Sequence, residues 1–86
     1  MTTFPTIHLN GTGKQDLLDG YIAAFLAVDA AVDALTRVEF NARDYYVQGP
    51  DAYTAARAER RAQFAALGNV GAELREIAAS ISDQGK

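Results

Sequence analysis

The chain has 86 residues, of which 49% are hydrophobic and 22% charged, as in a single globular domain and unlike a disordered segment. It has no cysteine and a single histidine, so disulfides are excluded and neither a metal site nor a cofactor is expected. The net charge of -3 argues against binding to duplex nucleic acid or to an anionic membrane, because both attract basic proteins.

The first twelve residues are predicted to form an extended arm. Ile7 and Leu9 flank His8 in a weak alternation, which Pro5 and a turn at Asn10 interrupt. A lone short segment has no strand partner, so we expect residues 1–12 to lie across another surface. The arm lacks the regions of a signal peptide, and no segment is apolar for long enough to span a bilayer. A cytoplasmic protein is therefore expected.

The stretch "NGTGKQ", residues 10–15, resembles a phosphate-binding loop only superficially. A Walker loop would need glycine where His8 stands and serine or threonine where Gln15 stands. Thr12, followed three residues later by Gln15, instead matches a capping box at the start of a helix. We interpret the stretch as a helix start, whose N-terminus could attract an anion weakly with Lys14 and His8 beside it.

A long helix is predicted over residues 13–40. Apolar side chains recur at helical spacing on one face and indicate contact with another helix. This seam comprises Leu18, Tyr21, Phe25, Val28, Val32 and Leu35. Roughly opposite lies an alanine stripe made of Ala23, Ala27, Ala30 and Ala34. Asp29 and Asp33 are the only charged residues from position 20 to 35, so both sides of this helix are suited to contact.

A loop is predicted over residues 41–49, a second helix over residues 50–82, and a frayed tail over residues 83–86. Pro50 suits a first helical turn, and Asp51 adds favourable charge at a helix N-terminus. The apolar period continues through the glycines near position 70, which favours one continuous helix. A break into two helices at that point is the alternative.

The predicted fold is an all-α, two-helix antiparallel hairpin with an extended N-terminal arm. A hairpin covers one face of each helix and leaves the alanine stripe of the first helix uncovered. This surplus of apolar surface predicts a homo-oligomeric helical bundle, most simply a dimer that forms a four-helix bundle.

Three arginines stand out on the second helix. Arg57 and Arg60 occupy seam positions where a simple hairpin would place leucine, and Arg61 follows them. One register of the hairpin would place Asp33 near Arg57. The same register would place Asp29 near Arg61, so that ion pairs fix the hairpin. The compatible alternative is a basic pocket for a phosphate or carboxylate, which arginine binds through two parallel hydrogen bonds.

The predicted loop carries the sequence "RDYYVQG". Arg43, Tyr45 and Tyr46 could stack on a base and bind its edge, and loops held by rigid helices often carry function. In the alternative interpretation, one tyrosine plugs the end of the bundle while Asp44 or Gln48 organises the turn.

Catalysis is not expected. There is no Cys–His pair, the two serines Ser80 and Ser82 lie near the end of the chain, and the acidic pair on the first helix has arginine partners available. We therefore assign no catalytic residue and do not expect an enzyme.

One resemblance follows from "IHLNGT" at residues 7–12, "RDYY" at residues 43–46 and "QG" at residues 48–49. This pattern, which spans most of the chain, resembles a group of small uncharacterised phage and prophage proteins. The chain departs from it at Val47, where proline would be expected. The resemblance implies a small cytoplasmic helical oligomer and interference with a host system, and it transfers no residue roles. By analogy, some phage proteins of this size are helical oligomers that sequester cyclic nucleotide signals of bacterial defence.

Two functional hypotheses follow. The first is a module of a phage that sequesters a small anionic, nucleotide-like molecule to counter host defence. Its ligand-binding residues would come from the second helix, the loop and the arm, namely Arg57, Arg60, Arg61, Arg43, Tyr45, Tyr46, His8, Asn10 and Lys14. The second is a protein–protein interaction module without a small ligand, which docks a host or phage partner through a helical face or the tyrosine loop.

Overall fold

The computed structural model describes residues 2–84. Helix α1 spans Lys14–Thr36, and helix α2 spans Ala52–Asp83. Two short 3-10 turns, Ala42–Asp44 and Tyr46–Gln48, lie between them, and residues 2–84 form no strand. Leu35 near the end of α1 contacts Arg60 early in α2, whereas Lys14 at the start of α1 contacts Gln84. The two helices are therefore antiparallel, and the predicted all-α hairpin is confirmed.

Helix α1 ends four residues before its predicted end. The N–H groups of Arg37 and Val38 donate to the carbonyls of Ala34 and Leu35, each at 3.1 Å, which tightens the last turn. Phe40 then leaves the helical path and packs its ring against Tyr53, with 5.5 Å between the ring centres. The connection between the helices consequently occupies residues 37–51 rather than the predicted 41–49.

Helix α2 runs without interruption through its central glycines, so the predicted continuous helix is confirmed and the alternative of two helices is wrong. Gly71 is buried where the helices approach closely. A Cβ there would lie 3.5 Å from Val28 Cγ1 and 3.2 Å from a guanidinium nitrogen of Arg75. Gly68 has no such neighbour, since a Cβ there would meet nothing within 4 Å.

The capping box predicted at the start of α1 is wrong. Gly13 is the N-cap residue, and no side chain caps the helix. Gln15 instead donates from Nε2 to Asp19 Oδ1 at 2.7 Å, one turn further along the helix. The turn before the helix is confirmed, because the N–H of Gly11 donates to the carbonyl of His8 at 3.1 Å. A Cβ on Gly11 would lie 2.9 Å from the imidazole of His8, so a larger residue there would displace this exposed side chain.

The described part of the N-terminal arm, which begins at residue 2, forms neither helix nor strand and contacts the end of α2. Gln84 holds it from both sides: its Oε1 accepts the N–H of Ile7 at 2.7 Å, and its Nε2 donates to the carbonyl of Pro5 at 2.9 Å. Lys14 Nζ donates to the main-chain carbonyl of Gln84. The predicted fraying of the tail is wrong at positions 83 and 84, because α2 includes Asp83 and Gln84 is anchored; positions 85 and 86 lie outside the described residues.

The ion pairs predicted between the helices are wrong. Asp29 pairs with Arg75, not with Arg61, and Asp33 pairs at 3.3 Å with Arg37, the residue that follows α1, not with Arg57. The longer connection and the close contact at the buried glycine of α2 shift the register by roughly two helical turns from the predicted one.

The hairpin is long and thin. Its extents are 60 × 23 × 19 Å, and its radius of gyration is 18.6 Å, compared with about 12 Å for a compact domain of this length. Among the described apolar residues, only Ala78 and Ile81 are buried. The whole alanine stripe of α1 is exposed, and the neighbouring Leu26 is 54% exposed. Within residues 2–84, neither helix has the length and hydropathy needed to cross a membrane.

Candidate functional site

The three arginines singled out in the sequence lie together at the loop end of the hairpin. They line an open groove of about 320 Å³, which is at the lower end of the size range for small-molecule sites. The other walls are aromatic rings from the connection and from α2. The lining residues are Phe40, Tyr53, Arg57, Arg60, Arg61 and Phe64.

Arg60 forms the fixed floor of this groove. Its guanidinium lies 4.9 Å from the centre of the Phe40 ring and 5.3 Å from that of Phe64. Its Nη2 also donates to the carbonyl of Leu35 at 3.0 Å, which adds a second hydrogen bond to a carbonyl that already accepts the N–H of Val38 in the last turn of α1. An arginine therefore replaces leucine at this seam position because its stem packs and its charged head caps the other helix.

Arg57 and Arg61 stand one turn apart on α2 and are both exposed. Neither forms an ion pair or a hydrogen bond with another residue in the range 2–84. Their guanidinium groups are thus available at the rim of the groove. The groove combines two free cationic groups at its edge with aromatic rings in its wall.

Three aromatic rings hold the connection against α2. The ring centres of Phe40, Tyr45 and Tyr53 are 5.5 to 6.1 Å apart, with tilted planes. Tyr45 therefore fills the end of the hairpin, as the alternative interpretation of the loop predicted. Tyr46 points away from this cluster and is 71% exposed.

A second groove adjoins the first through Tyr53. It has a volume of about 470 Å³ and is lined by the connection and the first turn of α2, namely by Ala42, Tyr45, Tyr46, Gly49, Pro50 and Tyr53. Arg43 is exposed in the neighbouring 3-10 turn. Gly49 closes the connection with a φ of 116°, a conformation that favours glycine. The predicted loop residues and the predicted helical arginines thus share one end of the molecule.

The arm residues lie at the other end. His8 packs over Gly11, Asn10 is exposed, and Lys14 is tied to the end of α2 through Gln84. The length of α1, 23 residues or about 34 Å, separates them from the arginines. A single chain therefore does not bring the arm residues into the arginine groove.

The sequence did not single out Arg75, which is central to the contact between the helices. It bonds to Asp29 and lies over the Phe25 ring, 4.7 Å from its centre. The adjoining Gly71 was the available signal, because a small residue in a seam leaves room for a long side chain from the next turn.

Comparison with known proteins adds no relative. No family model matches the chain, and neither a curated protein nor a solved structure is significantly similar to it. Within residues 2–84, no three side chains of His, Asp or Glu are grouped so as to hold a metal ion. The chemistry of the site therefore has to be argued from its arginines and aromatic rings.

Proposed function

We propose that the protein binds a small anionic, nucleotide-like ligand in the arginine groove and sequesters it, as a phage-type module that counters host defence. One observation carries the proposal: Arg57 and Arg61, which have no ion-pair partner among residues 2–84, lie at the rim of a groove whose wall is aromatic. Arginine binds phosphate oxygens through two hydrogen bonds, and aromatic rings stack on bases. The protein as a whole is acidic, so these cations mark a local rather than a general affinity for anions.

The groups have different roles in this proposal. Arg57 and Arg61 bind the phosphate, while Arg60 holds the aromatic rings of the groove wall in position. Tyr53 and the exposed Tyr46 offer faces for a base on the side of the second groove, and Arg43 adds a further cation there. His8, Asn10 and Lys14 act only if another copy of the chain brings them to this end. No chemical step is involved, so the protein is not proposed to be an enzyme.

A second candidate function has its own observation. Val47 is 95% exposed and Tyr46 is 71% exposed at the tip of the connection. Two adjacent exposed apolar side chains suit the docking of a host or phage protein without any small ligand. In that case the arginines would affect the stability of the hairpin but not the affinity for a small molecule.

Calorimetric titration of the purified protein with a panel of cyclic and linear nucleotides tests the first function. At least one should release or absorb heat and raise the melting temperature. Replacing Arg57 or Arg61 by alanine should weaken this binding about 10- to 100-fold, as expected for the loss of a charged hydrogen bond to phosphate. Arg57→Lys keeps the charge but loses the paired hydrogen bonds. Its affinity for the nucleotide should therefore lie between that of the wild type and that of Arg57→Ala.

Two results would contradict nucleotide binding in the arginine groove and would favour the docking function. The first is no heat and no thermal shift with any nucleotide of the panel. The second is binding that is unchanged when Arg57 and Arg61 are both replaced, because the ligand would then lie outside the groove.

A further inference from the structure

An exposed stripe on α1 extends beyond its alanines at both ends. Positions separated alternately by four and three residues share the face of α1 that points away from α2. From the start of the helix this stripe contains Asp16, Gly20, the four residues of the alanine stripe and Arg37. All seven positions are exposed. We call this set the outer stripe.

Gly20 has no explanation within the single chain. Glycine inside a helix lowers helix stability relative to alanine, but its missing Cβ allows another backbone to approach closely. A Cβ on Gly20 would meet nothing within 4 Å in this structure. The space above Gly20 is therefore open in the chain alone, although the residue type suits contact with a second backbone.

The outer stripe is complementary to itself when reversed. If two α1 helices lie antiparallel with Ala27 facing Ala27, then Ala23 faces Ala30 and Gly20 faces Ala34. The same register brings the two charged ends together, because Asp16 of each chain faces Arg37 of the other. Small residues meet along the middle and opposite charges meet at both ends, as in an isologous two-fold interface.

Both charged groups can make this contact without the loss of a strong interaction within the chain. Asp16 has no ion-pair partner among residues 2–84. Arg37 pairs with Asp33 at 3.3 Å, but the two side chains are 78% and 74% exposed, and such a surface pair contributes little. Giving up this pair therefore costs little, so Arg37 can turn to Asp16 of a second chain.

The exposed area is large enough for such a partner. The chain exposes 6289 Å², compared with about 4,900 Å² for a typical folded monomer of its mass. The difference of roughly 1,400 Å² exceeds the ~800 Å² that each partner buries in a standard protein interface. An elongated hairpin with an apolar outer face thus has surface available for a second copy.

We propose that the occupant of the outer stripe is a second copy of this chain, packed antiparallel about a two-fold axis at Ala27 with two Asp16–Arg37 ion pairs. This arrangement has a consequence for the groove. The arm of each chain lies at the start of α1, so antiparallel pairing carries the partner's arm to the loop end of the first chain. Because the outer stripe faces away from α2, α1 stands between that arm and the groove that Arg57 and Arg61 line, so each groove is formed within one chain.

Light scattering after size exclusion of the protein without ligand tests the pairing. The wild type should have at least twice the chain mass of 9.2 kDa. Asp16→Arg should shift the mass to that of a single chain, because at both ends of the interface an arginine at position 16 would then face Arg37 of the other chain. Arg37→Asp should have the same effect, because two carboxylates would face each other there. The double variant carrying both changes should restore the wild-type mass. Glu73→Arg makes the same charge change on α2 and should leave the mass unchanged.

Ala27→Glu provides a second test, because it places two carboxylates on the two-fold axis and should give single chains. Circular dichroism should show that each variant keeps its helices, since all these positions are exposed in the single chain. A wild type of 9.2 kDa would overturn the proposal. It would also be overturned if Asp16→Arg kept the wild-type mass, or if the folded double variant stayed a single chain. The pairing is measured without ligand, so it can stand or fail independently of the proposed function.

Discussion

Arg60 of α2 and Leu35 of α1 join the two helices at the loop end of the hairpin. The guanidinium of Arg60 donates to the carbonyl of Leu35 at 3.0 Å and at the same time contacts the rings of Phe40 and Phe64. A charged residue thus closes the end of a hairpin whose described part buries few apolar side chains. The position of the groove depends on this contact, because the rings that Arg60 holds form the groove wall.

Replacing Arg60 by alanine should lower the free energy of unfolding by about 2 kcal/mol, since a charged hydrogen bond and two cation–π contacts are lost. Chemical denaturation measures this free energy. The protein concentration is kept the same for all variants, because association of chains also affects stability. Arg57→Ala is the matched control: this exposed arginine of the same groove has no partner in the described chain, so its loss should change stability by less than about 0.5 kcal/mol. Equal losses for both variants would contradict the role assigned to Arg60.

The two central glycines of α2 should respond in opposite ways to a larger side chain. Gly71→Leu should lower the free energy of unfolding by about 1–3 kcal/mol or more, because Val28 and Arg75 occupy the space the side chain would need. Gly68→Ala should raise it by about 0.5–1 kcal/mol, because alanine favours the helix and nothing lies within 4 Å. Thermal denaturation of both variants checks the pair. A stabilised Gly71→Leu would show that the helices do not approach closely there.

The period of the apolar residues was sufficient to predict the hairpin and the continuous α2. The register of α1 against α2 was not predictable in this way. It depends on the close contact at Gly71 and on the ion pair of Arg75, and a periodic pattern does not show how far a long side chain reaches. The capping box failed because Gln15 has a competing partner, Asp19, one turn along the same helix. The arginine cluster could be predicted because charged residues stand at seam positions of the second helix. The aromatic wall could not be predicted, because Phe40 joins it only as a result of the early end of α1.

Gln84 should keep the N-terminal arm attached to the end of α2. Replacing it by alanine removes the hydrogen bonds to Pro5 and Ile7, so the arm should detach and become more sensitive to proteases while the helices remain. Limited proteolysis followed by mass spectrometry locates the cuts. Gln84→Glu keeps an acceptor for the N–H of Ile7 but loses the donor to Pro5, and it should give intermediate protection. An arm equally protected in all three proteins would mean that other contacts hold it.

Binding of the anionic ligand should weaken as salt is added. The proposed phosphate-binding groups, Arg57 and Arg61, are exposed, so mobile ions screen their attraction for an anion. Titrations at a low and a high concentration of sodium chloride should show a clear loss of affinity in the wild type. The salt dependence should be smaller in the Arg57→Ala variant. An affinity independent of salt would point to binding by apolar contacts alone.

Native mass spectrometry of the freshly purified protein tests the central claim most directly, because one spectrum reports both the number of chains and any retained ligand. The account predicts a particle of at least two chains that carries the added mass of a nucleotide, and it predicts that this added mass is lost when Arg57 and Arg61 are replaced. A spectrum of single 9.2 kDa chains that gain no mass from any nucleotide offered would contradict it.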